Sequence, residues 1–146
     1  MADPVVFEAQ YVLLKFEDVP DSDNYAHDCM INLDRSLSIT KSMVEETLFS
    51  CDDPAAPGTV YRLVESVSLS ASGTGKTHKT SLTKWLAWAL ATTSKRVQIE
   101  LGGGGGAVIK TSLHLTEFTP AGGAPKKYSE ASMTFASTGA ILAEPL

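Results

Sequence analysis

Serines alternate with larger residues through positions 62–72. Ser66, Ser68, Ser70 and Ser72 take even places, and Leu63, Glu65, Val67, Leu69 and Ala71 take odd ones. A period of two is the signature of a β-strand, whose successive side chains point to opposite faces. The segment predicts a strand with one apolar and one small hydroxyl face. Residues 107–118 repeat the pattern, with Ile109, Leu113 and Leu115 against Lys110, Ser112, His114 and Thr116. Residues 127–137 do the same, with Ala131, Met133 and Phe135 against Glu130, Ser132 and Thr134. Shorter alternations run through 37–43 (Leu37, Ile39, Met43) and 97–101 (Val97, Ile99, Leu101). The stretch 4–16 is also β-rich, with Val5, Phe7, Tyr11 and Leu13 in phase.

One segment changes period. Leu82, Trp85, Leu86, Ala89 and Leu90 recur at helical spacing and predict an amphipathic helix over roughly 80–92, capped by Thr80 or Ser81. Leu82, Trp85, Leu86 and Leu90 are its expected core contacts, and Trp88 falls off the stripe as a flanking residue. Long loops are expected near 18–28 (acidic), 45–59 (Pro/Gly-rich at its end), 102–106 (five consecutive glycines) and 119–126. No boundary or repeat divides the chain, so residues 1–146 read as a single domain, mainly β, an antiparallel sandwich or barrel with one flanking helix.

Composition narrows the function. The 146 residues are 43% hydrophobic and 20% charged, which suits a folded globular chain. No apolar run approaches the roughly 20 residues that a membrane-spanning helix needs. The first residues carry no basic stretch ahead of an apolar run, so no secretory signal is expected and the chain is expected to be made in a cytoplasm. The net charge of −5 argues against nonspecific nucleic-acid binding by a basic surface. It is unevenly divided: residues 1–65 carry a net −9 and residues 66–146 a net +4. Cys29 and Cys51 are too few for a disulfide scaffold and read as idle thiols.

Candidate chemistry is sparse. Gly73-Thr74-Gly75-Lys76-Thr77 follows a strand and precedes a helix, as a phosphate-binding loop does, but Ser70 stands where that motif needs glycine. Nucleotide binding is not expected, and the motif reads as a glycine-hinged turn with Lys76 and Lys79 solvated. His27, His78 and His114 are scattered, and consecutive His27-Asp28-Cys29 cannot easily converge on one metal. Glu45-Glu46 and Asp52-Asp53 read as solvated charges. No nucleophile, base and orienting group can be named together, so no enzyme activity, metal or cofactor is expected.

The order of elements resembles that of the tail tube (major tail) proteins of long-tailed bacteriophages and gene transfer agents. The resemblance runs from about Ile31 to Gly139. It rests on Ile31–Asp34 with Ser36–Thr40 as an early strand pair and on the Ser/Gly strand Val67–Gly75 that runs into a helix. The helix Leu82–Ala91 and the closing strands Ala107–Phe118 and Tyr128–Gly139 complete it. The five-glycine run and the acidic 18–28 insertion depart from the pattern.

The resemblance implies a β-sandwich or barrel-like domain whose copies form rings, hexameric in that family, stacked into a hollow tube that conducts DNA. It implies a virion location, partners among further copies and the tape measure, terminator and distal tail proteins, no sequence-specific DNA contact, and no stable membrane association. The other virion role in view is a head decoration, tail-completion or adhesion domain. Within the tube reading, Ser66, Ser68 and Ser70 are expected to face the lumen. Glu45, Glu46, Asp52 and Asp53 are expected to reach a neighbouring ring near Lys76, Lys79, Lys84, Lys95, Arg96, Lys126 and Lys127.

Overall fold

The computed structural model describes residues 6, 8–17 and 24–146. Val5, Phe7 and residues 18–23 of the expected acidic loop at 18–28 fall outside these residues, and the described remainder of that loop is corrected in part, because Tyr25–His27 is a strand. A 3-10 turn, Ala9–Tyr11, leads into β1 (Val12–Glu17). Then come β2 (Tyr25–His27), a second 3-10 turn (Cys29–Ile31), β3 (Arg35–Leu48), β4 (Thr59–Lys76), α1 (Lys79–Leu90), β5 (Lys95–Leu101), β6 (Ala107–Ala121) and β7 (Glu130–Pro145). The strands form one seven-stranded sheet in the order β2-β1-β5-β6-β7-β4-β3. Every neighbouring pair is antiparallel.

The alternation read from the sequence decides which face is buried. Leu14 and Phe16 of β1, Leu69 and Ala71 of β4, Val97 and Ile99 of β5, Ile109 and Leu113 of β6, and Ala131, Met133 and Phe135 of β7 turn to one side and form the core. In β1 the buried phase is Leu14 and Phe16; Leu13, expected in phase, is only half-buried. Met30 and Ile31 close the core from the second 3-10 turn, and Trp85 and Trp88 close it from α1.

Gly73 and Gly75 have a structural role that differs from the expected turn. Both lie within β4, which continues through Lys76. A Cβ on Gly73 would collide with the Ile31 side chain, and one on Gly75 with the Met30 carbonyl. The missing side chains therefore let residues 30–34 cross close over the strand. There Leu33 N–H donates to Thr74 O at 3.0 Å and Thr74 N–H to Asp34 O at 2.8 Å. Arg35 adds a clasp by donating to the carbonyls of Ile31 and Gln10.

The helix packs in a different phase from the expected stripe. Trp85 and Trp88 are buried, Leu82 is half-buried, and Leu86 and Leu90 are 41% and 87% exposed. Leu86 and Leu90 are thus corrected out of the core, and Trp88 into it. The two indoles determine the orientation, because together they cover Phe16 and Phe135 at ring-centroid distances of 5.3–5.9 Å within the cluster. At about 100° per residue, Leu90 points nearly opposite the midpoint of this pair. Trp88 Nε1 also donates to Thr93 O at 3.1 Å. The helix begins one residue earlier than expected, and His78 takes the N-cap position without a side-chain cap bond, in place of Thr80 or Ser81.

The sheet divides at one end. β4 pairs with β7 only from Ser70 to Lys76, against Ala136 to Glu130. Beyond that point β7 stays with β6, through a register shift near Lys110 and a left-handed Gly139 (φ 82°). β3 and β4 continue together, Ile39 opposite Leu69 out to Leu48 opposite Thr59, and leave the sheet as a two-stranded arm. The expected loop at 45–59 is therefore shorter, because Glu45 and Glu46 are strand residues and only 49–58 connect β3 to β4. The 119–126 loop likewise begins later, since β6 continues to Ala121. The glycine run at 102–106 joins β5 to β6 as expected, with Gly102, Gly103 and Gly105 at positive φ.

Candidate assembly surfaces

Opposite the core, strand register builds one continuous polar face. Ser36, Ser72 and Thr134 stand in one row across β3, β4 and β7, and Ser38, Ser70, Ala136 and His114 in the next, which extends to β6. Ser66 and Ser68 continue the face along β4 toward the arm, opposite Ser42 and Thr40. Ser66, Ser68 and Ser70 are all exposed, because their neighbours in the alternation take the other side. Ser36 and Ser72 share a hydrogen bond of 2.7 Å between hydroxyls.

Farther across the sheet the same face becomes charged, a feature that local spacing in the sequence does not reveal. Arg96 stands level with Ser112 and Thr138, and Gln98 with Lys15 on one side and Lys110 on the other. Lys15 meets Glu100 at 2.9 Å, Lys110 meets Glu144 at 2.8 Å, and Arg96 holds Glu17 with contacts of 3.0 and 3.2 Å. Lys76, expected to be solvated, is paired with Glu130 across β4 and β7. Glu144 keeps the Lys110 ammonium above the ordinary lysine range by hydrogen bond and charge, and Lys76 holds the Glu130 carboxyl below its ordinary value in the same way.

The arm has a different character. A register shift between Ser42 and Met43 places Glu65 outside the pairing and changes the phase of the residues nearer the tip. Met43 with Val64 and Thr47 with Val60 then lie on one side, and Val44 with Leu63 and Glu46 with Tyr61 on the other. Apolar groups thus occupy both faces, and Met43, Val64, Leu63 and Tyr61 are each at least half exposed. Glu45 is bound to Arg62 of its own arm at 2.7 Å. At the tip, Ser50 Oγ accepts from the N–H groups of Asp52 and Asp53, so a short local turn presents those two carboxylates to solvent.

Asp28 belongs to the scaffold. Its carboxylate caps the second 3-10 turn through Met30 N–H at 2.8 Å and meets Lys84 of α1 at 3.1 Å. Burial pushes this carboxyl up, but the Met30 hydrogen bond and the Lys84 ammonium outweigh it and hold it below the usual range. Among the described residues no cluster of three or more His, Cys, Asp or Glu side chains could hold a metal. No helix among them is long and apolar enough to cross a membrane.

No protein-family model matches the chain, and no curated protein sequence matches it. Solved structures do. A chain from the tail of an empty gene transfer agent particle, refined with C6 symmetry, is 16% identical, with a TM-score of 0.72 over 94% of this chain and 98% of that one. The SPP1 tail tube matches at 12% identity and TM-score 0.56, over 97% of this chain and 80% of that one. A chain of the sheath–tube complex of an extracellular contractile injection system, PVC, matches at 12% identity and TM-score 0.61, over 97% and 93%. The fold is that of the tail tube proteins: a mainly β domain with, among the described residues, one antiparallel sheet and a single α-helix. At these identities the likeness is one of fold.

Proposed function

We propose that this chain is a structural, non-enzymatic subunit that assembles with further copies of itself into the tail tube of a phage-like particle. The observation that carries the reading is the β3–β4 arm. It leaves the sheet with apolar side chains on both faces and, among the described residues, an unpaired strand edge along β3, and both are costly to leave in water. A neighbouring copy that covers the arm removes both costs. Rings of six are the symmetry to expect, given the C6 tail whose chain shares this fold. Stacking such rings head to tail gives an open polymer, because two different surfaces of the subunit meet.

In this reading the hydroxyl face, with Ser66, Ser68 and Ser70, lines the channel through which DNA passes. Serine and threonine hydrate well and offer no fixed positive charge to phosphate. Asp52 and Asp53, at the arm's tip, reach the next ring near the bases of the β6–β7 turn, Lys126 and Lys127. Glu46 contributes charge to the arm, while Glu45 is engaged by Arg62. Tape measure, terminator and distal tail proteins would meet the two ends of the tube, and the virion tail is the location.

Negative-stain microscopy of the purified protein at rising concentration tests this. Hollow tubes of uniform width are expected. Discrete particles at every concentration would favour a head decoration, tail-completion or adhesion domain instead.

A further inference from the structure

One side of α1 is apolar yet turned to solvent. At about 100° per residue, Lys79, Thr83, Leu86 and Leu90 share a face opposite the buried indoles, and all four are exposed. No residue of α1 is acidic. The lysine end of this face lies beside the β6–β7 turn, because Thr77, just ahead of α1, donates its N–H to Ser129 O at 2.8 Å. That turn carries Lys126, Lys127 and an exposed Tyr128, again without an acid. A matching surface stands at the far end of β4. Leu48 and Phe49, where β3 runs into the arm's tip, are each more than half exposed. Phe49 is held in place: a Cβ on Gly58 would meet its ring at 3.0 Å, so the ring lies against the Gly58 backbone. Residues 48–58 include Asp52 and Asp53 and no base.

We infer that the exposed side of α1 is the seat for the arm's tip of a second copy, with Leu48 and Phe49 against Leu86 and Leu90. Asp52 and Asp53 then reach Lys79 and the lysines of the β6–β7 turn. The inference rests on the tube reading and adds an apolar seat to its stacking contact. The partner has to be another copy. The tip precedes β4 and α1 follows it, and 18 residues at about 3.3 Å each separate the two by roughly 55 Å, against a helix only about 18 Å long. An arm therefore cannot fold back onto its own helix. Every copy offers both surfaces, so each contact leaves a fresh tip and a fresh helix for the next. Exposed ion pairs contribute little by themselves. Burial of four large apolar side chains supplies the affinity, and the charges decide which ends meet.

The tip carries its own probe, the exposed Cys51 two residues beyond Phe49. Thr83→Cys and Leu90→Cys, made separately at exposed helix positions, are assembled into tubes and oxidised with diamide. Non-reducing gels should show a ladder of dimers, trimers and longer chains, since each copy has a thiol at each end, and adding Cys51→Ser should abolish it. Tubes that form and give no Cys51-dependent ladder at either position overturn the inference while the tube reading stands. A second measure involves no new thiol. Phe49→Ala and Leu90→Ala should each raise the protein concentration needed for tubes on the order of tenfold. Together they should raise it little further, because they remove two sides of one contact. An unchanged threshold, or effects that multiply in the double variant, refutes the inference, and this result decides the matter if the cysteine variants fail to assemble. If wild-type protein forms no tubes, the tube reading is overturned and the inference with it.

Discussion

Truncating Trp85 should be far more damaging than truncating Leu90 on the same helix, although both belong to the apolar pattern of α1. Trp85 is 3% exposed and lies against Phe16, Trp88, Phe118 and Phe135, at centroid distances of 5.4–6.1 Å. Trp85→Ala removes the indole from the junction of helix and sheet and leaves a cavity that several aromatic rings cannot all close. The loss should be about 3–5 kcal/mol. For a domain of this size it corresponds to a fall in Tm on the order of 10–20 °C. Leu90 is 87% exposed, so Leu90→Ala should stay within about 0.5 kcal/mol of wild type. Leu86, 41% exposed, should fall between the two. The assay is urea denaturation followed by tryptophan fluorescence and circular dichroism, at a concentration where sedimentation shows a monomer, since assembly would add apparent stability. A Leu90→Ala loss equal to that of Trp85→Ala, or an unchanged midpoint for Trp85→Ala, would refute the assigned helix phase.

Acidification should weaken the join between the second 3-10 turn and α1. The folded-state carboxyl of Asp28 lies below its ordinary value, so its contribution is complete above about pH 5 and is lost as pH falls through the ordinary value of 3.8 toward the lowered one; Asp28→Ala should flatten the stability–pH curve in that window. Met43→Asp with Leu63→Asp, one on each face of the arm, should leave the monomer's melting curve nearly unchanged and abolish tubes in negative stain. Reversing Asp52 and Asp53 to Lys should block tube growth while the subunit stays folded, and wild-type growth should slow at high salt as the Debye length shrinks to about 3 Å at 1 M. Normal assembly of that reversed protein would remove the arm tip from the stacking contact.

Strand residues whose two faces differ were the legible part of this fold. Ser66, Ser68 and Ser70 against Leu69 and Ala71 define a face without any knowledge of partners. The arm was harder to read, because Met43, Val44, Leu63 and Val64 place apolar groups on both sides and the phase changes at Glu65. A pattern of that kind mimics a loop rim in a single sequence, yet it is what a strand pair buried on both sides by other copies requires. The helix phase was ambiguous because Leu86 and Leu90 extend the stripe toward solvent, and the choice was made by the two indoles finding Phe16 and Phe135. Gly73 and Gly75 looked like part of a ligand loop because their reason, the crossing of Met30 and Ile31, lies about 40 residues away in the chain. The charge ladder was equally hidden, since Lys15 and Glu100 meet only through strand pairing across 85 positions.

A cryo-electron microscopy reconstruction of the polymer grown from purified protein tests the central claim most directly. The account predicts a hollow tube whose inner wall carries Ser66, Ser68 and Ser70 beside the paired glutamates, with the apolar sides of the β3–β4 arm covered by other copies. A map with the hydroxyl face on the outside of the tube, or with the arm exposed to solvent, would contradict it.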